Sequence, residues 1–321
     1  MPPIPRNRKV TLPHAAADRL QPFVVKLLLE FGADVNALIK DSQVPKGTTT
    51  PLMIAIGKSN SNKHVEIIEI LIKNGASTNA IISNSGEMLA VPPLGYAAAR
   101  GDIESARLLL ENGANVNECQ SGCDLGNGYT PLMFAAGNGH SSMVEYLLNK
   151  GAKVDAAQYD AGNYSGRTAL HLAALGGDTR VGKLLVEHGA NVNAVMHNAG
   201  VEEGCTPLIS AASEGHQEFV KFLLDNNADV NAAMSCGAKK GWTALFLASA
   251  RGHKPTVQLL LDANANVNAT GYHKASGKGL TPYMVASLRE HNEVAQLLLS
   301  RGSNDNSLNI RLPYWLNKKY W

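Results

Sequence analysis

Apolar and small residues recur along this chain in short paired runs. Between Thr168 and Asn193, Leu170, Leu172, Ala173 and Ala174 form one apolar face, and after Gly176-Gly177 a second run presents Leu185 and Val186. The doublet returns as Leu147/Leu148, Leu223/Leu224, Leu260/Leu261 and Leu298/Leu299. Such spacing predicts two short antiparallel helices sharing one core, with alanines where another helix must come close.

Polar punctuation frames each pair. Helix starts fall at Thr11, Thr50, Pro92, Thr130, Thr168, Thr206, Thr243 and Thr281, and stops at Gly32, Gly75, Gly113, Gly151, Gly189, Asn227, Asn264 and Gly302. The offset from start to stop is 21 residues except from Thr50 to Gly75, where it is 25. A threonine before the first turn can accept an orphan backbone N–H, and Pro51, Pro131, Pro207 and Pro282 suit the first helical position. The stops require a left-handed residue, which glycine supplies and asparagine tolerates. From stop to stop the period settles at 38, with one 43 and one 37, which places the chain among stacked repeat architectures.

Composition adds bounds. The 321 residues are 45% hydrophobic and 17% charged with net charge +2, and no apolar run approaches the roughly 18 residues of a membrane span. The N-terminal Met1-Pro-Pro-Ile-Pro-Arg has no apolar signal-peptide core, and four cysteines are too few for a disulfide framework. The expected setting is a cytoplasmic, reducing compartment, with the nucleus or a host-cell cytosol as variants.

The pattern T-P-L-x-x-A-A, then G-H or G-D, then L-L-x-x-G-A-x-V-N-A resembles the ankyrin repeat. Eight copies, starting near 11, 50, 92, 130, 168, 206, 243 and 281, span residues 11–306. Residues 1–10 are then an N-terminal extension and 307–321 an aromatic, basic cap or docking tail. The resemblance implies a mainly α solenoid of helix-turn-helix units with projecting hairpin-like fingers and a concave groove. It implies protein binding and no single activity.

The chain departs from the family in one regular respect. Its unit exceeds the usual length of about 33 residues, and the excess lies between the Asn of V-N-A and the next start. That interval is 13 residues from Asn117, Asp155, Asn193 and Asn268 and 12 from Asn231, so the fingers are lengthened. Local departures are the longer turn at 57–63, the uncapped Pro92, and Gly182 inside a second helix, where glycine costs about 1 kcal/mol relative to alanine. These three places are expected to be the softer parts of the array.

No catalytic, cofactor-binding or metal-binding residue is assigned. The glycine-rich stretch 271–279 has the wrong spacing and lacks Ser/Thr after lysine, so it is not a phosphate loop. Cys119 and Cys123 supply two ligands where zinc needs four, with Cys205 and Cys236 in later fingers. His140, His216, His253 and His291 share one slot, as His14 and His171 share another, and repetition at one position points to packing. An enzyme would have almost no chain outside the repeats from which to build a site.

Candidate partner-binding residues come from three sources. By the resemblance, the two residues after each A-A pair face the groove, and they vary on a fixed frame; Arg100, Asn138, Glu214, Arg251 and Arg289 are among them. Residues 199–231 carry net −5 and 237–291 net +5, which singles out Glu202, Glu203, Lys239, Lys240 and Lys274 in the fingers. The finger aromatics Tyr159, Tyr164, Trp242 and Tyr272 have the chemistry of interface anchors. The resulting expectation is a monomeric, non-catalytic scaffold or adaptor that holds a protein partner. The alternatives are a bacterial effector acting on host proteins and, against the near-neutral total charge, a nucleic-acid binder using the basic C-terminal repeats.

Overall fold

The structure is a computed structural model that describes residues 11–40, 48–59, 61–80, 82–84, 89–119, 128–158, 166–197, 203–235, 239–273 and 278–304. The chain divides into two compact units, Met1–Ala161 and Gly162–Trp321. Each is built from helix pairs.

The first unit contains α1 (Leu12–Asp18), α2 (Pro22–Glu30), α3 (Pro51–Ile56), α4 (Asn62–Lys73), α5 (Pro93–Arg100), α6 (Ile103–Glu111), α7 (Pro131–Gly137) and α8 (Ser141–Asn149). The second contains α9 (Ala169–Gly176), α10 (Thr179–Glu187), α11 (Pro207–Glu214), α12 (Gln217–Asp225), α13 (Ala244–Ala250), α14 (Lys254–Asp262), α15 (Pro282–Leu288) and α16 (Asn292–Ser300). Within each unit every odd-numbered helix packs on the next odd one, and every even-numbered helix on the next even one. The odd-numbered helices come close because their facing residues are small: Ala97, Ala98, Ala135, Ala136, Ala173, Ala174, Ala211 and Ala212 are all buried.

Among the described residues, short antiparallel hairpins precede three of the pairs. They are β1 (Ile39–Lys40) with β2 (Thr48–Thr49), β3 (Ile82–Asn84) with β4 (Leu89–Val91), and β5 (Gly271–His273) with β6 (Lys278–Leu280). Among the described residues, an isolated bridge joins Ala233 to Thr243 in another finger. The hairpin-like fingers implied by the resemblance are thus present at these positions.

The start signals act as caps. Thr50, Thr130, Thr206, Thr243 and Thr281 each accept from the amide three residues on, at 3.2–3.3 Å. Pro92 caps α5 without a side-chain bond. At the stops, Asn227 and Asn264 both sit at φ 63°, the left-handed geometry that glycine adopts in the other repeats.

Neighbouring repeats are tied by two ladders. His140, His216, His253 and His291 each donate from Nε2 to a carbonyl at the end of the odd-numbered helix of the repeat before their own, Ala99, Leu175, Ser213 and Ala250, at 2.9–3.2 Å. The asparagine of V-N-A does the same along the opposite edge. Asn193 donates to the Asn227 carbonyl at 3.1 Å and accepts from the Asp229 amide at 2.8 Å, and Asn36, Asn117 and Asn268 repeat the geometry. Aspartates stand in the histidine slot of two repeats: Asp178 caps α10 through the Val181 amide, and Asp102 caps α6 through the Ser105 amide and also pairs with buried His64 of the preceding repeat at 3.0 Å.

Gly182 is not a weak point of α10. A β-carbon there would lie 2.7 Å from the ring of Phe219 and 3.2 Å from Phe222, both on α12. Phe219 is fully buried, and it occupies the slot that Ile67, Met143, Val181 and Val294 fill elsewhere. The large residue in one repeat is accommodated by the missing side chain in its neighbour, so the expectation of a soft helix is corrected.

Large exposed apolar side chains gather in the first repeat: Leu12, Phe23, Leu27, Phe31 and Leu38. Phe23 and Phe31 stand where later repeats place charged or polar residues such as Glu66, Glu104, Asn74 and Asn112. The expected N-terminal extension at 1–10 and the expected cap at 307–321 lie outside the described residues.

Candidate protein-binding site

The second unit contains a pocket where the ends of the odd-numbered helices meet the finger bases. Its walls include Leu175 of α9, Ile209, Ser213 and Glu214 of α11, Leu247 and Ala250 of α13, and Arg251 and Arg289 just beyond α13 and α15. The finger bases contribute Arg167, Cys205, Met234, Lys239 and Trp242, and the space enclosed is about 230 Å³.

The finger bases are held by backbone bonds within and between fingers. Met234 donates to the Trp242 carbonyl at 3.0 Å, and Gly241 donates back to Met234 at 2.8 Å. Between fingers, the Ser235 amide donates to Glu203 at 2.9 Å and the Tyr272 amide to Lys240 at 2.7 Å. The chain passes so close that a β-carbon on Gly241, at φ 81°, would sit 2.5 Å from the Thr270 carbonyl oxygen. Adjacent fingers therefore keep register at these bases.

Trp242 corrects an expectation. It is not a solvent-facing tip residue: it is 8% exposed, its ring lies 5.0 Å from that of Phe246, and its indole N–H donates to the Tyr272 carbonyl at 2.9 Å. An indole can be buried when its single donor is satisfied, and here the neighbouring finger satisfies it. Trp242 is part of the pocket's apolar lining, while Tyr272, whose carbonyl it bonds, is 41% exposed.

Charged side chains also line the pocket. Arg251 donates from Nη1 to the Glu214 carboxylate at 2.6 Å and to the Ser213 carbonyl at 2.9 Å, and His253 donates to that same carbonyl at 3.1 Å. The Arg289 guanidinium has its pKa lowered, first by burial and then by the positive charge of Arg251. Two cations thus share a partly desolvated wall.

The pocket brings together five of the residues expected from sequence: Glu214, Lys239, Trp242, Arg251 and Arg289. Glu203 and Lys240 lie in the finger bases, where their carbonyls join neighbouring fingers. Arg100 and Asn138 belong to the first unit. Arg100 donates to Ser59 Oγ at 3.1 Å and lies 5.8 Å from the Tyr96 ring, whereas Asn138 folds back onto the Phe134 carbonyl at 2.8 Å. Tyr159, Tyr164, Glu202 and Lys274 lie outside the described residues, as do Cys123 and Cys236.

The pocket also holds residues that the sequence reading did not select, namely Arg167, Cys205, Ser210 and Met234. A signal existed for Arg167, which directly precedes the capping Thr168 at a finger base.

The repeated pairs, caps and ladders are matched by a family model described as ankyrin repeats in three copies, over residues 4–82, 62–158, 94–196, 157–234 and 231–309. The chain belongs to the ankyrin-repeat family. Ankyrin repeats are protein-interaction modules and typically non-enzymatic. A comparison with curated proteins gave no match. Among the described residues, no helix is long and apolar enough to cross a membrane, and no cluster of three or more His, Cys, Asp or Glu is placed to hold a metal ion.

In these ankyrin repeats the recurring histidines make hydrogen bonds between neighbouring repeats. His171 illustrates the case: its Nδ1 accepts from the Thr168 amide at 3.2 Å, and its Nε2 donates to the Cys205 carbonyl at 3.2 Å. Burial, the largest influence, lowers its pKa to about 4, so the ring is neutral at physiological pH. It connects a helix start to the next finger and has no exposed nitrogen with which to do chemistry.

Proposed function

We propose that the chain is a non-catalytic scaffold or adaptor that binds a protein partner through the finger bases and odd-numbered helix ends of its second unit. One observation carries this reading. The residues that vary from repeat to repeat after the A-A pair, Ser213/Glu214, Ala250/Arg251 and Arg289, converge with finger residues on a single pocket, while the frame around them is fixed by caps and ladders. Variable, charged and aromatic side chains on a rigid support have the composition of an interface. Lengthened fingers with bases in register add contact surface on the same side.

The test is crosslinking affinity purification from the native cell with the full chain, in parallel with an Arg251→Ala/Arg289→Ala variant. A protein captured by the wild type and lost from the variant is the expected result. Failure to capture any protein, together with turnover of a small substrate by the folded chain, would overturn the reading.

A further inference from the structure

We propose that the outer face of the first repeat joins two copies of this chain, with α2 of one copy packed antiparallel on α2 of the other. The inference is independent of the protein-binding reading above, which concerns the second unit.

The face is written in the sequence of α2. Only Lys26 and Glu30 are charged in this helix, and Phe23, Leu27 and Phe31 follow one another at a spacing of four, which sets them on one side of it. Phe23 is 75% exposed and Phe31 82%. Leu12 at the start of α1 and Leu38 ahead of β1 are also exposed, at the end of the repeat where Phe31 stands. A helix with so little polar surface calls for a covering element.

A missing neighbour repeat does not account for this exposure. The Phe23 slot points to solvent inside the array as well, where it holds Glu66, Glu104, Arg180, Glu218 and Glu293, all exposed. The Phe31 slot likewise holds Asn74, Asn112, Lys150 and Arg301. A further repeat stacked before the first would therefore cover neither ring. Residues 1–10 are poorly composed for the task, since they carry three cations and, apart from proline, only Met1, Ile4 and Val10 as apolar side chains.

Two features select a second copy. The first is self-complementarity, which a two-fold interface requires. About an axis at Leu27, Phe23 of one copy meets Phe31 of the other. Lys26 and Glu30 share one flank of the helix, so each meets its opposite in the second copy. Within their own helix they stand 3.9 Å apart with both side chains more than half exposed, a weak pair that is able to exchange partners. The second feature is area. The exposed parts of Leu12, Phe23, Leu27, Phe31 and Leu38 amount to roughly 600 Å² of largely apolar surface, the upper limit for the largest patch on a monomer. With the stems of Lys26 and Glu30 and the half-buried Val24 and Leu28, the face approaches the ~800 Å² per partner of a stable interface.

Sedimentation velocity of the full chain, from about 0.1 to 100 μM, tests the proposal. The wild type should pass from one to two chains in mass as concentration rises. Phe23→Glu and Phe31→Asn install what sibling repeats already hold at these slots, so the circular dichroism spectrum should be unchanged. Each should raise the dimer dissociation constant about thirtyfold, the scale of an aromatic hot spot. The charge pair gives a second reading that leaves the apolar face intact. Lys26→Glu alone and Glu30→Lys alone should each weaken self-association about tenfold, and an equimolar mixture of the two variants should associate as the wild type does, because opposite charges then meet across the axis.

A single-chain mass throughout the series would overturn the proposal, whether residues 1–10 or an unrelated protein then covers the face. So would a dimer indifferent to Phe23→Glu and Phe31→Asn, or a mixture of the charge variants that associates no better than either alone. The Arg251→Ala/Arg289→Ala variant should self-associate like the wild type, so this inference and the scaffold reading fail separately.

Discussion

Replacing Gly182 by valine tests how the repeats are packed. Five of the seven siblings of this position hold Val25, Ile68, Val144, Val220 and Val257, and the other two hold Ala106 and Ala295, so consensus alone would favour the change. Helix propensity also favours valine over glycine, by a few tenths of a kcal/mol. The structure opposes it. The first added carbon would already lie 2.7 and 2.8 Å from the Phe219 ring, and Phe219 is fully buried and contacts Phe222 edge-on at 5.8 Å, so it cannot swing aside freely. Overpacking of this kind costs about 1–3 kcal/mol, which exceeds the propensity gain. Gly182→Val should therefore lower stability by about 1–2 kcal/mol in the natural background. In a Phe219→Val background, where the ring is gone, the same substitution fills space and should raise stability. The assay is a double-mutant cycle by guanidinium denaturation of the full chain, with equal m-values required so that the repeats are compared over one transition. Equal effects of Gly182→Val in both backgrounds, within about 0.5 kcal/mol, would refute the large-for-small exchange between α10 and α12.

Further outcomes follow from the caps, the turns and the buried histidines. Asp102 and Asp178 both cap even-numbered helices, through the amides of Ser105 and Val181, but only Asp102 also pairs with buried His64. In thermal or chemical denaturation Asp178→Ala should cost about 1 kcal/mol and Asp102→Ala about 3 kcal/mol, since the second strands a buried partner. Glu290 adopts φ 62° in the turn where Gly139, Gly177, Gly215 and Gly252 stand in other repeats; Glu290→Gly should raise stability by about 1 kcal/mol, read as an increased denaturation midpoint. His171 has a folded pKa of about 4 against 6.5, so the unfolded chain binds more protons between these values. Stability should be unaffected by this group above pH 6.5 and decline by up to about 3 kcal/mol as pH falls toward 4. His14, also lowered by burial, acts in the same direction, and the decline should be shallower in His171→Asn when melting temperature is followed against pH.

Much of this architecture was legible because it is local. A capping threonine three residues before an amide, a proline in a first turn and a left-handed glycine or asparagine at a stop are decided by near neighbours in sequence, and they appear where the spacing put them except at Thr11, whose hydroxyl meets His14 instead of the amide. The histidine slot was legible as packing, since it recurs, but its partner was not. That partner is a carbonyl 40 or 41 residues earlier, and only stacking brings the two together. The same holds for the asparagine ladder and for His64 with Asp102. Gly182 was misread because its reason lies in the next repeat, although Phe219 in a slot otherwise held by smaller or flexible residues was a visible hint. Of the candidate site, charge blocks and varied positions led to Glu214, Lys239, Arg251 and Arg289. Trp242 was selected for the wrong surroundings, because composition cannot tell a tip aromatic from one whose indole N–H is taken up by a neighbouring finger.

The central claim is that the repeated frame supports and the finger side of the second unit binds. Hydrogen-exchange mass spectrometry of the full chain, alone and with its captured partner, tests it most directly. The account predicts added protection in the finger bases around 203–206, 239–243 and 270–273 and at the helix ends around 213–214, 250–251 and 288–289, with α10, α12 and α14 unchanged. Protection confined to α10, α12 and α14, with the pocket segments exchanging as in the free chain, would contradict it.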